Sequence, residues 1–182
     1  MNNKTFICLS ICFTLIVLGC SKDSPVSQKV AQSEQESSLI MMAGEGTPIS
    51  GNSAYAQTDE CDYVSQGATY ALKITGDLKG CIYAFVSFSE CIDGYYWEEG
   101  REHFVGTYNG EPGEFWTTYR FLGKFEGCTD GATPSGAEIM GFCDHPLVKG
   151  SGTGAFEGAT GRYYMIDNVK KGEFPYKGEL KF

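Results

Sequence analysis

Gly150-Ser-Gly-Thr-Gly-Ala-Phe-Glu-Gly-Ala-Thr-Gly-Arg162 is the stretch whose reading decides the fold. Two aromatic-bearing runs, one ending at Phe156 and one restarting at Tyr163, flank Gly158, Ala159, Thr160 and Gly161, small residues of the kind a tight turn between paired strands requires. The stretch predicts a β-hairpin with arms over 152–156 and 162–169. Gly150, Gly152 and Gly154 alternate, which bares one strand face so that another backbone or a bulky ring can approach closely. A glycine-rich phosphate loop would need a helix to follow. Arg162-Tyr-Tyr-Met-Ile166 reads as strand, so nucleotide binding is set aside.

Outward from this stretch the same period of two recurs. Residues 68–78 set Tyr70, Leu72 and Ile74 against Lys73, Thr75 and Asp77, and residues 82–89 set Ile82, Ala84, Val86 and Phe88 against Tyr83, Phe85 and Ser87. A third strand takes in 95–97 and 104–108, with the charged Glu98-Glu-Gly-Arg-Glu102 between them read as a bulge or long turn. Residues 114–125, 137–143, 152–156, 162–169 and 173–182 bring the count to eight. Breakers recur every eight to twelve residues and no segment sustains a helical period, a pattern that leaves an all-β barrel and a β-sandwich about even.

The run Gly152 to Tyr163, with Phe115-Trp-Thr-Thr-Tyr-Arg-Phe121 upstream and Phe174-Pro-Tyr-Lys-Gly178 downstream, resembles the allene oxide cyclase and dirigent superfamily. The similarity covers about residues 104 to 182, and its most specific piece, Gly-x-Phe-Glu-Gly-Ala-x-Gly at 154–161, is a turn motif. The resemblance implies a single antiparallel eight-stranded barrel around an apolar cavity, and trimeric assembly. It brings no active site, because nothing here matches the cyclase's N-terminal catalytic segment.

The chain opens Met1-Asn-Asn-Lys4, continues almost wholly apolar from Phe6 to Leu18, and reaches Val17-Leu-Gly-Cys20. A positive start and a short apolar core make a secretory signal over 1–19, too short for a comfortable membrane span. Val-Leu-Gly-Cys resembles the bacterial lipobox, which implies lipidation of Cys20 and anchoring by several acyl chains. Ser21 after the cysteine resembles the sorting pattern for the outer membrane, and Ser21-Lys22-Asp23 resembles the start of a surface-export signal. Residues 20–54 then read as a lipidated, flexible tether, rich in polar residues and devoid of aromatics. Leu39-Ile-Met-Met42 is its one apolar patch. Every aromatic after Phe13 lies between Tyr55 and Phe182, so the barrel domain is expected over 55–182. The net charge of −9 becomes one unit more negative when Lys4 leaves with the signal, and Lys170-Lys171 is the only basic pair. Phosphates would be repelled, which excludes nucleic acid as a partner.

Export puts Cys61, Cys81, Cys91, Cys128 and Cys143 where disulfides persist, and an odd number leaves one thiol over. If 82–89 is one strand, Cys81 and Cys91 lie about 30 Å apart and cannot bond. Up-and-down order puts Cys61, Cys91 and Cys128 at one end and Cys81 and Cys143 at the other. One bond is expected within the first group, and Cys81–Cys143 is the second candidate. No Cys-x2-Cys or His-x3-His pair exists, and His103 and His145 are isolated, so neither metal nor cofactor is predicted.

Glu90, Asp93, Glu98, Glu99, Glu102, Glu111 and Glu114 crowd one stretch. Acid–base work would need one of them buried; the plainer reading is a solvated rim. Tyr95, Tyr96, Trp97 and Tyr119 are the candidate ligand-stacking residues. No catalytic residue is assigned, since no nucleophile elbow is present. The leading reading is a lipid-tethered barrel that binds a small lipophilic ligand or a protein partner without catalysis. An isomerase or cyclase working on a lipophilic substrate in the cavity comes next, and a structural or adhesion protein with a filled barrel is the third reading.

Overall fold

The computed structural model describes residues 46–182. The segment read as a signal and lipobox, Cys20, Leu39–Met42 and most of the expected tether lie outside the described residues. Nine strands follow one another: β1 (Thr47–Tyr55), β2 (Tyr70–Gly76), β3 (Leu78–Ile92), β4 (Tyr95–Tyr108), β5 (Glu111–Gly127), β6 (Ser135–Pro146), β7 (Thr153–Gly154), β8 (Thr160–Ile166) and β9 (Tyr176–Lys181). Eight of them close in the order β4-β3-β2-β1-β9-β8-β6-β5, with β4 also paired to β5 and every pairing antiparallel. The fold is a closed eight-stranded antiparallel barrel, with the two-residue β7 outside it on β5. Closure gives each of the eight barrel strands a partner on both sides.

The expected strand number holds, but its membership changes. Residues 47–54, read as tether, form most of β1 and join β2 to β9. Ile49 is the only large side chain before Tyr55, and the strand is held by its ladder and by Ser53, whose hydroxyl donates to the Phe174 carbonyl at 2.9 Å. A strand stabilised by backbone pairing with small residues leaves no aromatic signal in sequence.

The stretch 150–162 is a turn cluster rather than a hairpin. β7 pairs β5, while β8 pairs β6 and β9. Successive tight turns, with Phe156 N–H donating to Thr153, Glu157 to Gly154 and Ala159 to Phe156, wind the chain so that Phe156 is carried fully inside. Two of the three alternating glycines serve the close approach that their pattern predicts, since a Cβ on Gly152 would overlap the Phe156 carbonyl and one on Gly154 the Pro112 carbonyl, whereas Gly150 meets open space at positive φ. Phe156 meets Phe104 and Phe115 edge to face at 5.4 and 4.8 Å, and those two rings stack at 4.8 Å. With Leu78 and Leu180 they fill one end of the barrel. Each such ring contributes about 1.5–3 kcal/mol by burial.

The Glu98–Glu102 run is no interruption. β4 runs unbroken between two-residue turns at Asp93-Gly94 and Asn109-Gly110, all four residues at positive φ, as the twist-matched hairpin turn demands. The bulge sits across from it in β3, between Val86 and Phe88.

Two disulfides are present, Cys61–Cys81 and Cys91–Cys128, and Cys143 is free and buried. Cys91–Cys128 falls within the group expected at one end. Cys81–Cys143 does not form, because the two residues lie on opposite surfaces of the sheet: Cys143 belongs to the core, whereas Cys81 packs with Ala56, Cys61 and Ala71 in a separate cluster. The connection 56–69 folds back over β2 and β3 and brings Cys61 to Cys81, a return that an up-and-down scheme does not contain.

Candidate functional site

Alternation in β4 turns Tyr96, Glu98, Gly100, Glu102 and Phe104 to the interior, and the register carries these positions across the barrel. Tyr96 lies opposite Gly123, which lies opposite Gly141; Glu98 lies opposite Phe121, Phe121 opposite Cys143, and Cys143 opposite Met165; Glu102 lies opposite Thr117. Three phenylalanines plug one end, and the other encloses a cavity of about 200 Å3 whose lining includes Tyr96, Glu98, Glu102, Glu138, His145 and Asp167. Tyr55, 64% exposed, also lines it, which marks the solvent side. Leu72, Phe121, Phe125, Met165 and Phe174 supply its apolar wall.

At the inner end, Glu102 and His145 form a buried pair, 2% and 1% exposed. Glu102 Oε2 accepts from His145 Nδ1 at 2.6 Å and from the Thr117 hydroxyl at 3.0 Å. The imidazole stacks on Tyr163 at 4.5 Å and 8°, and Tyr119 lies at 6.3 Å. Its Nε2 is buried without a partner. A burial this complete normally leaves no ring nitrogen unsatisfied.

Midway, Glu98 gathers three phenols. Oε1 accepts from Tyr70 at 2.9 Å and Tyr119 at 2.8 Å, and Oε2 accepts from Tyr96 at 2.7 Å. Burial, then the hydrogen bond to Glu98 and its charge, push the Tyr96 phenol up to about 12. Burial first also raises Tyr70 and Tyr119 far above the ordinary phenol range, joined at Tyr70 by the neighbouring Tyr119 and then Glu98 and at Tyr119 by Glu98, so all three remain donors.

Toward the rim, Glu138 and Asp167 face each other over Gly141, where a Cβ would overlap both Asp167 Oδ2 and Glu138 Oε1. The Asp167 amide donates to the Gly141 carbonyl at 3.0 Å, which fixes the approach. Glu138 Oε1 is buried with no donor upon it. Burial, then hydrogen bonding to Glu138 and its charge, push Asp167 up to about 8. Two facing carboxylates have no donor between them unless one of them carries a proton.

The candidate stacking residues separate. Tyr96 lines the cavity; Tyr119 is inside the barrel as a donor to Glu98. Tyr95 and Trp97 take the outer face by alternation, with Lys124 Nζ 4.7 Å from the Tyr95 ring centre. The crowded carboxylates separate as well. Glu99 pairs with Arg120 at 2.8 Å and Glu114 with His103 at 2.9 Å on the outer surface, while Glu98 and Glu102 face the lumen, where the rim reading had not put them. The two-residue turns were the missed signal: counting back in twos from Phe104 across an unbroken strand assigns Glu102 and Glu98 to the core face.

No family model, curated protein or solved structure matches this chain. The chemistry has to be read from the lumen itself. Cys143 lines it, but burial first and the Glu102 charge next raise its thiol well above the usual range, which suppresses the thiolate that nucleophilic catalysis uses. Among the described residues no three His, Cys, Asp or Glu side chains converge as a metal site would require. The lumen does contain a base with one free nitrogen, a set of phenol donors, and a carboxylate pair that holds a proton near neutral pH.

Proposed function

We propose that this is a lipid-anchored protein of a bacterial envelope, tethered through Cys20, whose barrel takes a small molecule into its lumen. The observation that carries the reading is the unequal filling of the interior, solid around Phe104, Phe115 and Phe156 and open over about 200 Å3 at the other end. A dry cavity of about 150 Å3 accepts benzene, so this one suits a ring with a short arm and is too small to enclose a long acyl chain. A filled-barrel adhesion protein has no use for such a space. Native mass spectrometry of protein extracted gently from its own envelope tests the proposal: a ligand of that size should co-purify, and the same spectra count the copies, three by the family resemblance. Ligand-free protein that also fails to gain thermal stability from any small molecule in a broad panel would defeat it.

A second reading rests on His145. An imidazole oriented by a carboxylate through Nδ1, with a buried, unpartnered Nε2 on a residue of the cavity lining, has the arrangement of a general base. It would serve an isomerase acting on a lipophilic substrate: a C–H bond breaks, its proton moves to Nε2 as the electron pair delocalises, and the proton returns to a different carbon. Glu102 accepts the Nδ1–H throughout. Deuterium appearing in a co-purified ligand on incubation in D2O, lost in His145→Gln, supports catalysis; no exchange in the native protein removes it.

A further inference from the structure

We propose that the ligand of the lumen is a small organic amine bound as its cation, with the ammonium at Glu138 and Asp167 and a hydroxyl reaching His145. This rests on the small-molecule reading above and names its chemical class. Four carboxylates line the cavity, Glu98, Glu102, Glu138 and Asp167, and no lysine or arginine does. Glu102 has His145 and Thr117, and Glu98 has three phenols. Glu138 and Asp167 have only each other.

A buried acceptor without a donor is costly, about 1–3 kcal/mol for a neutral group and more for a charged one. Glu138 Oε1 is such an acceptor, and Asp167 resolves the conflict alone by holding a proton. An ammonium would supply both carboxylates with charge-assisted donors and release that proton. An inorganic cation fits less well, since two carboxylates fall short of the six to eight oxygens a calcium ion takes. The walls favour an organic cation. Tyr55 and Phe174 meet edge to face at 5.1 Å and Tyr96 and Phe125 at 5.8 Å, which gives the lumen ring faces of the kind cations approach.

The independent observation is at the other end. His145 is 1% exposed, lines the cavity, and has an unpartnered Nε2 with Nδ1 already committed to Glu102. That nitrogen is an acceptor in the neutral tautomer. It lies four residues along β6 from Gly141, about 13 Å of strand, and inward-leaning side chains shorten the gap a ligand must span. A ring carrying an aminoethyl arm and a hydroxyl opposite it matches the polar ends and the volume.

Titration calorimetry on the exported, folded protein with tyramine, its neutral isostere tyrosol and its acidic isostere 4-hydroxyphenylacetate tests this. Tyramine should bind at least about tenfold more tightly than tyrosol, a difference of about 1.4 kcal/mol, and the acid should give no heat. Tyramine affinity should strengthen from pH 6 to pH 8 as Asp167 gives up its proton, against the charge of Glu138 and beside Tyr55 and Cys143. Glu138→Gln with Asp167→Asn should bring tyramine down to the tyrosol level while tyrosol holds its own, a control that the lumen is intact. His145→Gln should weaken tyramine and tyrosol together. Equal binding of tyramine and tyrosol overturns the cation and leaves the small-molecule lumen standing. Preference for the acid, or no binding by any of the three, also overturns it, and the co-purification result judges the lumen separately.

Discussion

Glu102 Oε2 lies 2.6 Å from His145 Nδ1, and the two residues, 43 apart in sequence, are both buried inside the barrel wall. The pair links β4 to β6 across β5, so it reports on barrel closure as well as on chemistry. Removing one partner should leave the other buried and uncompensated. Glu102→Ala is expected to cost about 3–5 kcal/mol, and Glu102→Gln, which keeps an acceptor, clearly less. Urea unfolding of both variants, combined with His145→Ala in a double-mutant cycle, measures the coupling.

Asp167 makes stability depend on pH. Its folded value of about 8 stands above its ordinary 3.8, so between those values the folded protein binds more protons than the unfolded one, and stability falls as pH rises. The contribution is whole below about pH 4 and is lost by the time pH passes 8. Melting temperatures recorded from pH 5 to pH 9 should therefore decline, and Asp167→Asn should flatten that decline; an unchanged slope would refute the assignment.

Phe156 closes the solid end of the barrel from a turn that is not part of the closed sheet. Its ring is fully buried against Phe104 and Phe115, so Phe156→Ala is expected to cost about 3–5 kcal/mol through lost burial and the cavity left behind. The denaturation midpoint should fall with little change in slope. A loss below about 1 kcal/mol would show that the neighbouring turns collapse into the space.

Cys61–Cys81 fastens the 56–69 connection to the outer face of the sheet. Closing 20 residues contributes about 3 kcal/mol in the chain-entropy account. Replacing both cysteines with serine should lower stability by roughly that amount, and limited proteolysis should then cut within 56–69 first, because the cover it forms over Ala71 loses its tie.

Cys143 should stay silent toward thiol reagents in the folded protein. It is buried, and its thiol is shifted upward by that burial, so accessibility and thiolate formation both oppose reaction. Alkylation followed by peptide mass mapping should find it modified only after denaturation; rapid labelling under native conditions would mean that the lumen opens widely.

A period of two, sustained through Tyr70, Ile82 and Phe115 to Tyr163, was enough to determine an all-β chain, and the small residues around Phe156 marked where it turns. Five cysteines within 61–143 foretold disulfides, and the distance between Cys81 and Cys91 ruled out one of the pairings. Such properties are local: alternation, turn chemistry and composition act over a few residues and can be read directly. Tertiary structure alone decided that β1 completes the ring, that Cys61 returns to Cys81 over the outside of the sheet, and that Glu102 meets His145 while Glu138 meets Asp167. Those outcomes depend on which strand lies beside which and in what register, and a slip of one residue would turn Glu98 and Glu102 out to water. Ring closure fixes that register through contacts among residues far apart in the chain, and no short window of sequence contains them.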